Sequence, residues 1–176
     1  DPQNPWSHNN RGLVLIQLGR DQDALDAFAR SIALNPRNPQ AYFNRARLLD
    51  GRGRSEEALA DYTASVRLAP CFGEALVMRA RLLGRLERMD EAVADYRAHA
   101  TCHPFEVEAL AEFAAAELRV AREHGDDVAL AAAQMRFDEL TVRFPANADV
   151  LRLRGHARAQ GHDFQGALED ADLAIG

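Results

Sequence analysis

The chain repeats itself every 34 residues, and that period confines it to an array of like units stacked in sequence order. The segment Asp23-Ala-Leu-Asp-Ala-Phe28 returns as Glu57-Ala-Leu-Ala-Asp-Tyr62 and again as Glu91-Ala-Val-Ala-Asp-Tyr96. Ala24, Ala58 and Ala92 stay in step with Phe28, Tyr62 and Tyr96, and these with Pro36, Pro70 and Pro104. Upstream, Gly12, Ala46 and Ala80 align, as do Leu15, Leu49 and Leu83.

Each part of the pattern has a physical reason. Apolar residues at i, i+3, i+4 and i+7 mark amphipathic helices throughout. Gly or Ala stands where two antiparallel helices cross, since only a small side chain lets the backbones approach. The aromatic fills the gap beside that contact. Pro ends the second helix and sets the first turn of the next. Polar turns, such as Gly19-Arg-Asp-Gln and Gly51-Arg-Gly-Arg-Ser, separate the helices within a unit.

These residues resemble the tetratricopeptide repeat family, whose unit is a 34-residue helix–turn–helix. The resemblance implies an all-α, right-handed superhelical solenoid of antiparallel helix pairs, a single domain over 1–176. Its units are 5–38, 39–72, 73–106, 107–147 and 148–176. The fourth ends in register with Ala133, Phe137 and Pro145 but carries seven extra residues. Seven residues are about two helical turns. They predict one added turn on each helix, over 117–123 and 128–135, around His124-Gly125-Asp126-Asp127, with Gly125 as C-cap and Asp126 or Asp127 as N-cap. The fifth unit keeps Gly155 and Ala167, has Ala171 where the aromatic belongs, and reads as truncated, the chain as an excised piece.

Composition narrows the function classes. The net charge of −6, from 21 basic and 27 acidic residues, argues against nucleic acid as the partner, because such binding rests on phosphate neutralisation. No stretch reaches the roughly 18–20 apolar residues of a membrane span. Every basic residue is Arg, a skew with no physical account beyond codon usage. Cys71 and Cys102 form no zinc-like array and read as unpaired thiols, which points to the cytoplasm. His99, Cys102 and His103 lie within five residues, but His99 aligns with Ser31 and Ser65 and Cys102 with Leu34 and Leu68, which makes Cys102 a core position. No metal or cofactor is expected there. Gly51-Arg-Gly53-Arg54 lacks the strand and the Lys-Ser/Thr of a phosphate loop. The carboxylates that open second helices complement the helix dipole and form no acid–base pair. The chain reads as no enzyme.

In tetratricopeptide proteins the first helices of successive units line a concave groove, so the resemblance implies a scaffold for a protein or peptide. By register the candidate groove residues are Phe43, Asn44, Arg47, Val77, Met78, Arg81, Arg85, Glu112, Arg119 and Arg152. Arg47, Arg81, Arg85 and Arg119 form one rim; Glu74, Glu108, Glu112 and Asp149 form the other. Such rims fix the direction of a peptide, and helix dipoles favour the same placement for stability alone. The Lys/Asn clamp with which some family members hold a C-terminal carboxylate is absent: Asn44 fits it, but Asn9, Leu13, Glu74 and Met78 do not. Arg45, Arg79 and Arg154 on first helices align with Asp61, Asp95 and Asp170 on second helices, and are predicted to bridge each hairpin as partly exposed ion pairs. The fourth unit has Phe113 and Arg136 instead. Two other readings stand beside the scaffold: a docking segment of a larger enzyme or transcription factor, and self-assembly through the open last hairpin at Leu168, Leu173 and Ile175.

Overall fold

The computed structural model describes residues 3–175; Asp1, Pro2 and Gly176, the ends of the expected 1–176 array, lie outside the described residues. These residues form ten helices and no strand: α1 (Pro5–Gln17), α2 (Asp21–Leu34), α3 (Pro39–Gly51), α4 (Ser55–Leu68), α5 (Gly73–Arg85), α6 (Met89–Cys102), α7 (Val107–His124), α8 (Asp127–Arg143), α9 (Ala148–Gln160) and α10 (Phe164–Ile175). The chain divides into two compact units, Asp1–Leu86 and Glu87–Gly176. In the first, α1 to α4 each pack on the helix that follows. In the second, α6 packs on α7, α7 on α8 and α9, and α9 on α10.

The crossing residues are buried as their size requires. Ala24, Ala58 and Ala92 are wholly inaccessible, and Phe28, Tyr62 and Phe137 lie beside such crossings with at most 1% of their surface exposed. Each aromatic so buried stabilises the fold by about 1.5–3 kcal/mol. Gly12 shows how tight the contact is: a Cβ there would fall 2.5 Å from the Phe28 ring. Asn4 and Asn38 cap α1 and α3, accepting from the Trp6 and Gln40 amides, and Pro5 and Pro39 take the first helical turn.

Hairpin turns need one residue in the left-handed region, where glycine alone is unstrained. Gly19 and Gly53 fill that place with φ of 70° and 74°. In the third and fifth repeats Glu87 and His162 occupy it, so the left-handed residue of the last turn is His162 and not Gly161. In the fourth repeat α7 has 18 residues and α8 17, against 13 or 14 in the earlier ones. Gly125 closes α7 at φ 66°, and the Asp126 carboxylate accepts from the Val128 and Ala129 amides. The seven additional residues have become helix.

Two Arg–Asp pairs bridge their hairpins as the alignment predicts. Arg45 grips Asp61 with two hydrogen bonds of 2.6 and 2.8 Å, and Arg154 holds Asp170 at 2.5 to 3.1 Å. Their arginines are partly exposed, at 26% and 14%, while the Asp61 and Asp170 side chains are 9% and 1% exposed. Asp170 needs and has a second cation, Arg158 Nη1 at 3.1 Å. The fourth hairpin keeps a bridge with its polarity reversed. Arg136 on α8 donates to Glu117 on α7 at 2.9 Å and lies over the Phe113 ring at 4.6 Å.

The cysteines correct the expectation of unpaired thiols. Neither is free; Cys71 and Cys102 are both disulfide-bonded. Cys102 is also half-buried rather than a core position. Cys71 lies in the loop after Pro70, outside the helix positions that a 34-residue frame compares, so the frame carried no signal for it. The thiol argument for a cytoplasmic setting falls with it. No helix among the described residues is long and apolar enough to cross a membrane.

Candidate functional site

The face of the first unit built by α3 and α5 gathers seven of the ten candidate residues. Two of them form its floor. Phe43 is 2% exposed, with its ring centroid 4.9 Å from Phe72 and 6.1 Å from Tyr62. Asn44, buried as well, donates to the Asn9 carbonyl at 3.0 Å and accepts from Gln40 at 3.2 Å. That ladder ties α3 to α1 and explains Asn44 structurally.

Above the floor stand cations. Exposed Arg47 lies over the Phe43 ring, 5.6 Å from its centroid, within reach of a cation–π contact. Exposed Arg81 touches the half-buried Met78 thioether at 3.8 Å, and Val77 beside it is half-buried. Arg85 reaches from α5 to Asp50 on α3 at 2.5 Å. Glu74 stands exposed in the first turn of α5.

Beneath these groups the Tyr62 side chain is wholly buried and its hydroxyl has no hydrogen-bond partner. Burial first, and the Asp50 carboxylate second, push its phenol well above the ordinary tyrosine range, while Arg47 and Arg85 pull the other way. The donor therefore keeps its proton across all working pH. Asp50, Tyr62 and Phe72 were not among the sequence candidates. A signal for Tyr62 exists: Tyr96 is followed sixteen residues later by Glu112, and Tyr62 by Met78.

In the second unit the remaining candidates engage neighbours. Glu112 accepts from the Tyr96 hydroxyl at 2.7 Å. Arg119 pairs with Glu123 at 2.8 Å and lies 3.9 Å from Glu87; Arg152 pairs with Asp149 at 3.2 Å. A cavity of about 240 Å³ opens between α7, α8 and α9, lined in part by Arg122, Arg154, Arg158 and Asp163. Its guanidiniums are bound: Arg122 donates to the Ala157 carbonyl at 2.7 Å, and Arg154 and Arg158 share Asp170.

His99 is 1% exposed, its Nε2 sits 3.1 Å from Glu106, and its ring stacks on His103 with centroids 4.9 Å apart. Burial holds its pKa below the ordinary imidazole range, with Glu106 opposing and His103 adding to the effect. Since Cys102 is disulfide-bonded, its sulfur is not a thiolate ligand beside them.

Known proteins place the fold. The tetratricopeptide repeat model matches residues 9–70 and 43–107. Three solved structures are similar in fold. YrrB, a TPR protein with an unusual peptide-binding site, is 20% identical, with 98% of this chain and 86% of that one covered at a TM-score of 0.77. MamA from Desulfovibrio magneticus RS-1 is 15% identical, with 97% and 93% covered at 0.77. The first TPR of Spaghetti (RPAP3), bound to the HSP90 peptide SRMEEVD, is 23% identical, with 69% and 96% covered at 0.63. No curated protein matches the sequence. The fold is the all-α, TPR-like array of helix pairs that the period implied. With residues 9 to 107, more than half of its length, matched to the repeat model, the chain belongs to the tetratricopeptide repeat family.

Proposed function

We propose that this protein is an interaction scaffold without chemistry of its own, and that it holds a peptide segment of a partner protein along the α3–α5 face of the first unit. The observation that carries this is the cationic row Arg47, Arg81 and Arg85, standing over an aromatic and thioether floor. Guanidiniums on a rigid apolar base are the pattern of interface hot spots, because the base fixes the donors before the ligand arrives. The peptide-bound RPAP3 structure and YrrB support peptide capture as a use of this fold. Glu112, Arg119 and Arg152 are separate candidates of the second unit, each engaged with a neighbour there. The test is a peptide array probed with purified protein. The double change Arg81→Ala, Arg85→Ala is expected to weaken the best peptides by roughly tenfold or more; unchanged affinity removes the assignment.

A second reading, association of copies, rests on α10. Leu168 is 58% exposed, whereas Leu59 and Val93, at the same repeat position, are 9% and 8% exposed. The first helix has the reciprocal bareness: Val14 is 54% exposed where Leu48 and Leu82 are 7% and 0%. These two bare faces are the surfaces through which copies would associate in this reading. Light scattering over a concentration series tests this, and a monomer at every concentration rules it out.

A further inference from the structure

The cavity of about 240 Å³ in the second unit is walled by a second helix, α8, as well as by α7 and α9, and so differs in kind from the first-helix surface proposed above. Its lining joins three guanidiniums to apolar Leu118, Phe137 and Ala157. Arg154 is fully used: Nε and Nη2 hold Asp170, and Nη1 donates to the Thr141 hydroxyl at 2.6 Å. The other two are not. Among the described residues Arg158 forms its hydrogen bonds through Nη1 alone, to Asp170 and the Gly166 carbonyl. Arg122, in the last turn of the lengthened α7, forms one through Nη2, to the Ala157 carbonyl, and makes no ion pair among these residues.

Two further observations make room for a ligand. A Cβ at Gly161 would fall 2.7 Å from Arg122 Nη2, and the φ of Gly161 is an ordinary −88°, so the glycine leaves space for the guanidinium rather than serving the backbone. Against three guanidiniums stands one buried carboxylate, Asp170. The Asp138 and Asp163 side chains are 66% and 55% exposed and meet Arg154 and Arg158 at 3.5 and 3.7 Å, contacts that are weak and free to turn into water.

We propose that this cavity binds a small phosphate monoester. Arg122 and Arg158 donate their remaining N–H groups to the phosphate oxygens, for which guanidinium forks are suited. Leu118, Phe137 and Ala157 take the carbon part, and the volume, below that of pockets for drug-sized ligands, keeps it small. The site is independent of the peptide-binding reading.

The test titrates the full chain at low ionic strength with glycerol 2-phosphate and with a phosphoserine hexapeptide, chloride being matched. The ester should saturate with a Kd of about 1 mM or tighter. It should shift the Nε–H signals of Arg122 and Arg158 in nitrogen-15 spectra and leave that of Arg45 in place. Arg122→Gln should weaken binding by about tenfold. Gly161→Ala pushes aside a flexible side chain, so it should weaken binding several-fold with Tm nearly unchanged. No saturation by about 20 mM, or shifts confined to other arginines, would overturn the proposal. So would unchanged affinity in Gly161→Ala together with a folded Arg122→Gln. A phosphopeptide bound at least tenfold tighter than the ester would assign the cavity to a phosphorylated chain and overturn the small-ligand class.

Discussion

Tyr62 and Tyr96 are the same residue of the same repeat, yet one hydroxyl is unpaired and the other donates to Glu112 at 2.7 Å. The arginines of both units make varied contacts. In the second, Arg122 caps a carbonyl, Arg154 and Arg158 share Asp170, Arg136 binds Glu117 and Arg119 binds Glu123. In the first, Arg47 rests on an aromatic face and Arg81 on a thioether. At one repeat position the same residue thus has an acceptor in the second unit and none in the first. The lesson is that register identifies a position, but the partner sixteen residues along decides its use.

The largest expected effect strikes the cohesive unit. Arg154→Leu leaves the Asp170 carboxylate, 1% exposed, with Arg158 as its main cation, and should cost about 3 kcal/mol. Urea denaturation measures it, and a loss under about 1 kcal/mol would mean the pair is dispensable. Next come the strained turns. Glu87→Gly should stabilise by about 1 kcal/mol by placing glycine at φ 63°, as in Gly19 and Gly53. No gain there would mean the turn relaxes differently from its homologues in the chain. Tyr96→Phe should cost about 1 kcal/mol through its lost bond to Glu112, against nothing for Tyr62→Phe. Equal changes in the pair would erase the contrast between the units.

His99 adds a pH-dependent member. Its folded pKa lies below the unfolded value of about 6.5, so the unfolded chain binds the proton more readily. The contribution is harmless above that value, and stability is lost as pH falls through about 6.5 towards the folded pKa. His103, Glu106 and Glu112 are the charged groups acting on it, and Glu106 limits the loss. His99→Ser, the residue of Ser31 and Ser65, should flatten this part of the pH profile, measured as the urea midpoint between pH 7.5 and 5.5. The smallest effect belongs to Arg20→Ala, which removes an exposed i,i+3 pair with Asp23 and should change stability by about 0.3 kcal/mol or less.

The period gave away the helices, the hairpins and the lengthened fourth repeat, because spacing is local and small residues have no other reason to recur with it. It also located the Arg45–Asp61 and Arg154–Asp170 pairs. Depth was not legible. Nothing in one sequence says that Asp170 is sealed while Asp23 is wet, since that depends on how closely the hairpins fold over the carboxylate. The reversed Arg136–Glu117 bridge escaped because the two added turns shift the frame that the alignment relies on. Cys71 escaped because it lies in a loop, and loops fall between the compared positions. Phe43 and Asn44 were correctly placed on first helices, but their burial makes them floor and ladder rather than contact surface. The exchange of Glu112 for Met78 was visible all along; its meaning required knowing that the hydroxyl beneath was buried.

The claim that the first unit provides the binding surface is tested most directly by hydrogen exchange of the protein with and without an array-selected peptide. The account predicts new protection in 39–51 and 73–85, around Arg47, Arg81 and Arg85, with residues of α7 and α9 unchanged. Protection confined to α7 and α9, with α3 and α5 exchanging as before, would contradict it.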